Sequence, residues 1–172
     1  MHLTNHEGAG IAVSQCPQAT EEIEYFRLAL VIDVDQVLVK AAIGAGLPVR
    51  EARGNMIVDI GGGTTDVAVV SMSGMVTNVC LKVAGDKLDE AIINFVRRHH
   101  NMMIGERTAE QIKIRLGSVW PPPPDQEEPI MDMKGRDLIT GVPRSIELTS
   151  GDVREALADC ARSILDAVKA TL

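Results

Sequence analysis

The chain has 172 residues, of which 45% are hydrophobic and 24% are charged, a balance typical of a folded globular protein. A formal net charge of −7 argues against nucleic acid as a partner, because such proteins need basic side chains to neutralise phosphates. The apolar runs are too short to cross a bilayer, no secretory signal is visible, and the cysteines form no CxxC pair, so a soluble protein of a reducing cytoplasm is predicted.

The first stretch of the chain, residues 1–43, carries the weakest pattern. Residues 10–14 predict a short strand, and residues 16–20 predict a turn that contains a proline. Residues 21–30 predict a helix, because glutamates lie in its first turn, where the helix dipole favours negative charge.

The second stretch, residues 44–84, holds the most informative segment. Residues 56–60 and 67–72 have the composition of buried strands. Three consecutive glycines lie between them: Gly61, Gly62 and Gly63. Glycine permits positive φ and a close approach of the backbone to a ligand, with amide groups turned towards an anion. The segment is therefore predicted to bind phosphate, and a plain glycine turn between two core strands is the alternative.

Polar side chains flank these glycines. Asp59 is predicted to hold a hydrated Mg²⁺, a hard cation that prefers carboxylate oxygen, and Thr64 and Thr65 are predicted to offer hydroxyls to phosphate oxygens. A Walker loop is excluded because no lysine follows the glycines. A dinucleotide-binding fingerprint is excluded because residues 67–70 favour a strand over a helix. The predicted arrangement is strand, glycine turn, strand.

Two helices are predicted at the start of the third stretch, residues 85–149. The first covers residues 87–98, with acidic side chains in its first turn and basic ones in its last, as the helix dipole favours. The second is predicted to begin with a capping box of Thr108 and Gln111.

Glu110 and Lys113 lie on neighbouring positions of the polar edge of the second helix, because residues three apart are adjacent on a helix surface. Taken by themselves, they predict an ordinary ion pair worth a few tenths of a kcal/mol.

The rest of the chain predicts a loop, a hairpin and a helix. Residues 121–124 are four prolines, which are too stiff and too poor in donors for a helix or a central strand. Residues 129–134 and 145–149 predict a small hairpin around residues 135–137. The last stretch, residues 150–172, predicts a helix with one apolar face.

The strand, glycine turn, strand arrangement resembles the second phosphate loop of the actin-like ATPases, the superfamily of actin, DnaK-type chaperones, sugar kinases, FtsA and MreB. Three further motifs, in the right order, resemble the MreB family of bacterial rod-shape actins. They are VAGDKLDEAII at residues 83–93, IGERTAEQIK at residues 104–113 and GRDLITGVPR at residues 135–144. The resemblance runs from Ala42 to the end of the chain. It implies an α/β fold of the actin-like ATPase (ribonuclease H-like) type, mainly the second lobe with its small cap subdomain.

The resemblance also implies ATP and Mg²⁺ as ligands. Gly85 and Asp86 are expected to border the phosphates. Glu110 is expected to face the ribose hydroxyls, and Lys113 is expected to lie along the adenine. Asp59 is the expected metal residue.

No residue is assigned as catalytic base. The family has a glutamate that orients the attacking water where this chain has residues 36–38, of sequence QVL. Asp33 and Asp35 lie close by, but on a strand a shift of one residue reverses the direction of the side chain.

The same resemblance divides the chain into four segments. Residues 1–43 are expected to be a degenerate remnant of first-lobe strand, helix and hinge, and residues 44–84 the phosphate-loop sheet. Residues 85–149 are expected to form the cap subdomain, and residues 150–172 a truncated return helix. A first phosphate loop of Asp-Leu-Gly-Thr type and a glycine-rich adenosine loop do not occur in the sequence. A partial or degenerate chain is therefore expected, and turnover by this chain alone is not predicted, because such enzymes close two lobes around the phosphates.

The function implied by the resemblance is ATP-dependent assembly into cytoskeletal filaments that guide cell-wall synthesis and hold rod shape. The implied partners are further copies of the chain or full-length MreB, and the cell-wall elongation machinery. The implied location is the cytoplasm, at the inner face of the cell membrane through partners, and the sequence gives no support for direct membrane binding by this chain. Two alternatives stay open: a non-catalytic module that caps or copolymerises with full-length filaments, and a fragment of another actin-like ATPase such as FtsA or a DnaK-type chaperone.

Overall fold

The computed structural model describes residues 2–6, 9–15 and 34–172, and the side chains from residue 38 onward. The turn predicted at residues 16–20 and the helix predicted at residues 21–30 lie outside the described residues. The chain divides into two compact units, and each is described by itself. The sheet unit comprises the described residues up to Lys82 together with Asp166–Leu172, and the helical unit is Val83–Leu165.

The sheet unit contains one antiparallel sheet of five strands and one helix. In chain order its elements are β1 His2–His6, β2 Ala9–Gln15, α1 Val34–Gly44, β3 Asn55–Ile60, β4 Thr65–Ser71 and β5 Gly74–Leu81. The strands lie in the sheet in the order β1-β2-β3-β4-β5. The short strand predicted at residues 10–14 is thus confirmed as β2, and the predicted hairpin is confirmed as β3 and β4.

Helix α1 packs against β3, β4 and β5 and closes the core on one side of this sheet. Ala42 of the helix and Val49 after it pack with Ile57 of β3 and Val70 of β4, and all four are buried. Burial of each large aliphatic side chain contributes about 1.5–3 kcal/mol. Strands β3 and β4 are therefore held by α1 on one face and by β2 and β5 at their outer edges, which holds the loop between them in place.

The segment in which the resemblance seeks a catalytic glutamate is helical. Residues 36–38 and Asp35 lie in α1, and Asp33 lies outside the described residues. The expectation that these acids belong to a strand is therefore wrong for Asp35. No residue of this segment is assigned a catalytic role.

The helical unit contains three helices and a second antiparallel sheet. Its elements are α2 Gly85–His100, β6 Met102–Met103, α3 Glu106–Leu116, β7 Ile130–Asp137, β8 Pro143–Thr149 and α4 Ser150–Thr171, whose end from Asp166 belongs to the sheet unit. The sheet order is β6-β7-β8. All three helices predicted within these residues are confirmed.

The core of the helical unit is formed by aliphatic and methionine side chains. They come from every element of the unit: Ile92, Val96, Met102, Ile104, Ala109, Ile112, Leu116, Met133, Leu148, Val153 and Leu157. The apolar stripes of α2 and α3 therefore meet the inner face of the small sheet, as amphipathic helices do. Among the described residues, none of the helices combines the length and the apolar character that crossing a membrane would require.

The capping box predicted at Thr108 and Gln111 is wrong. Helix α3 begins at Glu106 after Gly105, which has extended backbone and provides no side chain to cap the helix. A capping box occurs instead at the start of α4. The Thr149 hydroxyl accepts a hydrogen bond from the amide of Asp152. The Asp152 carboxylate in turn accepts one from the amide of Thr149 at 2.9 Å.

The hairpin predicted around residues 135–137 is displaced. Strand β7 continues through these residues, and the chain reverses at residues 138–142, which we call the tip turn. Gly141, with φ of +74°, supplies the left-handed conformation of that turn. Gly135 has a different role. A Cβ there would lie 2.8 Å from Met103 O, so only glycine lets β6 lie this close to β7.

Candidate functional site

The three glycines predicted to bind phosphate form a four-residue loop together with Thr64. We call these residues, 61–64, the glycine loop. Ile60 of β3 pairs with Thr65 of β4 as the last rung of the ladder. The amide of Gly61 donates to the carbonyl of Thr64 at 2.9 Å and closes the loop. Gly62, Gly63 and Thr64 are exposed at its tip. The backbone of the tip is therefore open to solvent and accessible to a ligand.

The glycines of this loop are present for different reasons. Neither Gly61 nor Gly63 adopts positive φ, so the expectation of a left-handed backbone is not met at these two positions. A Cβ on Gly61 would lie 3.3 Å from Thr64 O, a tight contact that the closed loop disfavours. A Cβ on Gly63 would meet no atom within 4 Å. The fold of this chain therefore does not require glycine at Gly63, whereas a ligand approaching the backbone would.

Two carboxylates lie side by side behind the glycine loop. Asp59 of β3 and Asp66 of β4 are directly opposite in the ladder. Burial raises the pKa of Asp59, and the negative charge of Asp66 raises that pKa further. Like charges in directly opposite positions destabilise a sheet, so this pair is suited to a cation.

Asp66 was missed by the sequence analysis, although its position follows from simple counting. A four-residue loop that pairs Ile60 with Thr65 must pair Asp59 with Asp66 on the same face of the sheet. The length of the loop was the missing information. Once it is known, the acid that ends the Thr-Thr-Asp run becomes the partner of the predicted metal residue.

The row of polar groups continues across the sheet to β5. Cys80 lies opposite Asp66, and a hydrogen bond to that carboxylate is the main reason why the pKa of the Cys80 thiol is raised. The Thr64 hydroxyl also lies 3.5 Å from Asp66 Oδ2. Cys80 is exposed, so an inert buried thiol is not what the structure shows at this position.

The carboxylate pair fits Mg²⁺ in number and chemistry. Mg²⁺ is typically held by one or two carboxylates, and phosphate and water oxygens complete its shell. Asp59 and Asp66 supply two carboxylates. Within the part of the chain that the structure describes, no group of three or more histidine, cysteine, aspartate or glutamate side chains could hold a metal ion. An all-protein cage is therefore not what these residues form.

The two threonines of the segment differ in exposure. Thr64 is exposed at the loop, whereas Thr65 is fully buried in the ladder between Ile60 and Leu81. Of the two predicted hydroxyl donors, Thr64 is thus the one at the surface. The role of Thr65 stays a prediction.

The remaining predicted site residues belong to the helical unit. Gly85 and Asp86 form the first turn of α2, which follows Ala84 in extended conformation. Ala84 has no side chain that could cap the helix, so the first-turn amides keep the positive end of the helix dipole uncovered. Such an end favours an anion. Asp86 is exposed beside it.

Lys113 of α3 also lies at the start of α2. Its amine donates to Asp89 Oδ2 at 2.9 Å and to the carbonyl of Gly85 at 3.3 Å. The surface ion pair that was considered for Glu110 and Lys113 is therefore wrong, because Lys113 reaches a different helix. Glu110 is exposed one turn before it.

The structure thus brings the predicted site residues together in two groups. The first group lies on one hairpin of the sheet unit: Asp59, Gly61, Gly62, Gly63, Thr64 and Thr65. The second lies on α2 and α3 of the helical unit: Gly85, Asp86, Glu110 and Lys113. Asp89 of α2 joins the second group through its ion pair with Lys113.

Comparison with known proteins identifies relatives over most of the chain. The family described as MreB/Mbl protein matches residues 19–172. Over 132 residues, 77% of this chain, the sequence is 50% identical to the cell shape-determining protein MreB of Escherichia coli (strain K12), and it covers 37% of that protein. Over the same length it is 47% identical to the cell shape-determining protein Mbl of Bacillus subtilis (strain 168), of which it covers 39%. The chain therefore spans well under half the length of these relatives.

Solved structures give the same result for the fold. The chain superposes on MreB5 of Spiroplasma citri bound to AMPPNP with a TM-score of 0.73 and 35% identity, covering 77% of this chain and 39% of that one. The ADP-bound form gives the same TM-score, with 40% of that chain covered. The chain also superposes on the MamK double helical filament with a TM-score of 0.54 and 22% identity. The match covers 76% of this chain and 37% of the MamK chain, and it shows the fold alone. The predicted α/β actin-like fold is confirmed.

Proposed function

The chain belongs to the MreB/Mbl family of bacterial actins, and we propose on that basis that its glycine loop binds the phosphates of ATP together with Mg²⁺. The observation that carries this proposal is the bare tip of the loop. Gly63 is exposed, has no strained backbone and has open space where a side chain would stand. The fold would accept a side chain at Gly63, but the sequence has three consecutive glycines here. A backbone without side chains is suited to close approach of a phosphate.

The carboxylates behind the loop support the same proposal. Asp59 and Asp66 lie opposite each other in the ladder, and burial together with the negative charge of Asp66 raises the pKa of Asp59. Mg²⁺ bound with phosphate oxygens would offset that repulsion, because it brings positive charge to a place where two negative charges meet. When bound, the ion would screen the charge of the phosphates. Asp59 and Asp66 would hold it in position.

The nucleoside is assigned to residues of the helical unit. We assign Gly85 and Asp86 to the phosphate side, where the uncapped start of α2 favours an anion. Glu110 is assigned to the ribose and Lys113 to the adenine. The relative MreB5 of Spiroplasma citri was crystallised with AMPPNP and with ADP, which makes nucleotide binding the natural proposal for the corresponding residues of this chain. Binding of nucleotide, not its hydrolysis, is what these residues account for.

The cellular role proposed for the chain is that of its relatives. We propose self-association into filaments, with other copies or with a full-length MreB, in the cytoplasm at the inner face of the cell membrane. The relatives are named cell shape-determining proteins. Guidance of the cell-wall elongation machinery is the proposed outcome of that assembly.

The proposal is tested by adding a single methyl group to the glycine loop. Gly63→Ala should weaken binding of Mg²⁺-AMPPNP to the full chain by roughly tenfold or more, because the new Cβ occupies the space in which phosphate would lie. Its melting temperature should stay the same, because the Cβ meets no protein atom within 4 Å. Isothermal titration calorimetry and differential scanning calorimetry give the two numbers.

The matched control is Gly74→Ala. Gly74 begins β5 at the turn after β4, and a Cβ there would make only an ordinary contact, 3.7 Å from Ser71 O. This variant should bind the nucleotide as tightly as the unsubstituted chain. Equal affinities for Gly63→Ala and Gly74→Ala would mean that the glycine loop does not contact the phosphates.

A further inference from the structure

Lys113 does not lie free along its own helix but is held by a carboxylate of α2. Its amine contacts Asp89 Oδ2 at 2.9 Å, and the two side chains are only 23% and 16% exposed. The bond joins residues 24 positions apart in the chain, so it depends on the packing of α2 against α3. A long lysine side chain in solvent would sample many rotamers, and this bond restricts it to one region.

The position of the bond places the amine at the start of α2. The second acceptor of Lys113 is the carbonyl of Gly85, the first residue of that helix, at 3.3 Å. The amine therefore lies beside the uncapped first turn of α2, and its charge is paired with the carboxylate of Asp89. Asp89 is the carboxylate that pairs with the ammonium there.

The carboxylate of Asp89 is not arranged as a fully satisfied structural group. Its other oxygen, Oδ1, is buried and has no hydrogen-bond partner among the described residues. A buried acceptor without a donor costs stability, so packing alone would favour an apolar residue at this position. The aspartate at this position is better explained by the lysine that it holds.

We infer that Asp89 is the positioning residue of Lys113, which it holds at the start of α2 in the place from which Lys113 contacts the nucleotide. The inference rests on the proposed function, because it assigns to Asp89 no contact with nucleotide of its own. Asp89 acts on affinity only through the lysine. The two residues should therefore behave as one unit when nucleotide binding is measured.

A double-mutant cycle on the full chain tests this. Asp89→Ala should weaken binding of Mg²⁺-AMPPNP by roughly tenfold in the unsubstituted background, and it should have almost no further effect in a Lys113→Ala background. A role limited to stability would lower the melting temperature without this dependence on Lys113. A loss of affinity that is equal in the two backgrounds would overturn the inference.

Glu128→Ala is the matched control within the same unit. Glu128 accepts from Arg154 at 2.7 Å across 26 positions of the chain, and Arg154 Nε, like Asp89 Oδ1, is buried and unpartnered among the described residues. This variant should lose stability as Asp89→Ala does, yet bind nucleotide normally. If it weakened binding as much as Asp89→Ala, the effect would be one of unit stability and the inference would be wrong.

Acetylation of lysine, mapped by mass spectrometry, gives a second readout. AMPPNP should protect Lys113 in the unsubstituted chain, and Asp89→Ala should abolish that protection. A chain that binds AMPPNP and leaves Lys113 equally reactive would overturn the inference and the assignment of Lys113 to the adenine, but not phosphate binding by the glycine loop. Absence of nucleotide uptake by the unsubstituted chain would overturn the proposed function, and this inference with it, so the two failures are distinguishable.

Discussion

The glycine loop and the tip turn reverse the chain between paired antiparallel strands, but they are stabilised in opposite ways. In the tip turn, the carboxylate of Asp137 points into the turn and accepts the amides of Ile139 and Thr140, each at 2.9 Å. In the glycine loop, one backbone bond closes the turn, and Asp59 faces another acid. One turn uses its carboxylate for its own structure. The other does not use the carboxylate of Asp59.

The electrostatics of the two acids follow this difference. Backbone hydrogen bonds from Thr140 and Ile139 lower the pKa of Asp137, and the charge of Arg144 adds to the effect. Burial and the charge of Asp66 raise the pKa of Asp59. The comparison shows that a carboxylate beside a turn indicates a ligand site only when the turn itself does not use it. Each prediction below changes one side of this comparison.

The largest effect is expected from Asp137→Ala. This change removes the acceptor of two turn amides and the partner of Arg144, whose guanidinium lies 2.9 Å from Asp137 Oδ2. The melting temperature should fall by several degrees, measured by calorimetry, because the amides of the tip turn lose their acceptor.

Asp125→Ala, at an exposed loop position of the same unit, is the control for Asp137→Ala and should leave the melting temperature almost unchanged. Similar losses for the two variants would mean that Asp137 does not hold the tip turn.

A smaller effect, of opposite sign, is expected from Asp59→Asn. The amide removes one of two like charges that face each other in the ladder, so the chain should gain a few tenths of a kcal/mol at neutral pH without Mg²⁺ or nucleotide. Urea unfolding measures this gain. Asp66→Asn should add less in the Asp59→Asn background than alone, because the repulsion is already gone. A net loss of stability in Asp59→Asn would show that the pair is satisfied within the protein.

The smallest effects concern pH, and the two acids should differ in sign. Asp137 has a folded-state pKa below its ordinary value of 3.8, so its contribution is present above pH 3.8 and is lost as pH falls through the folded pKa. Asp59 has a folded-state pKa above 3.8, so its contribution is greatest when it is protonated and falls as pH rises through the folded pKa.

The contributions of Asp137 and Asp59 are separated by measuring the free energy of unfolding from about pH 3 to about pH 7. The measurement is made on the unsubstituted chain, Asp137→Asn and Asp59→Asn. Relative to the unsubstituted chain, Asp137→Asn should lose stability as pH rises, and Asp59→Asn should gain it. Equal slopes for the two variants would remove the distinction between the turns.

Much of the fold could be predicted because its signals are local. Strands β3 and β4 were visible from their apolar runs, and α2 from its periodicity and terminal charges. Asp59, the first of the two acids behind the glycine loop, was predictable because it lies at the end of an apolar strand. Asp66 required the loop length, which sequence does not state. Asp89 required the packing of two helices, since its bond to Lys113 spans 24 positions.

The elements that were missed or misplaced are those decided by distant residues. Strand β6 has only two residues, too few to show any alternation, and it exists because β7 pairs with it. The start of α3 was misplaced because a threonine and a glutamine at the right spacing imitate a capping box inside a helix. The sequence predicts a turn at Gly135 because glycine is common in turns, whereas the constraint on Gly135 in the structure comes from Met103.

Gly135 also restricts how this sequence can vary. A Cβ at that position would collide with the Met102 side chain as well as with the Met103 backbone, both at 2.8 Å. Met102 is fully buried in the core of the helical unit, so even alanine would force a core methionine to be repacked. The local sequence suggests a replaceable surface bend at Gly135, but the packing tolerates no side chain there. The absence of a methyl group at this position is what allows β6 and β7 to pair.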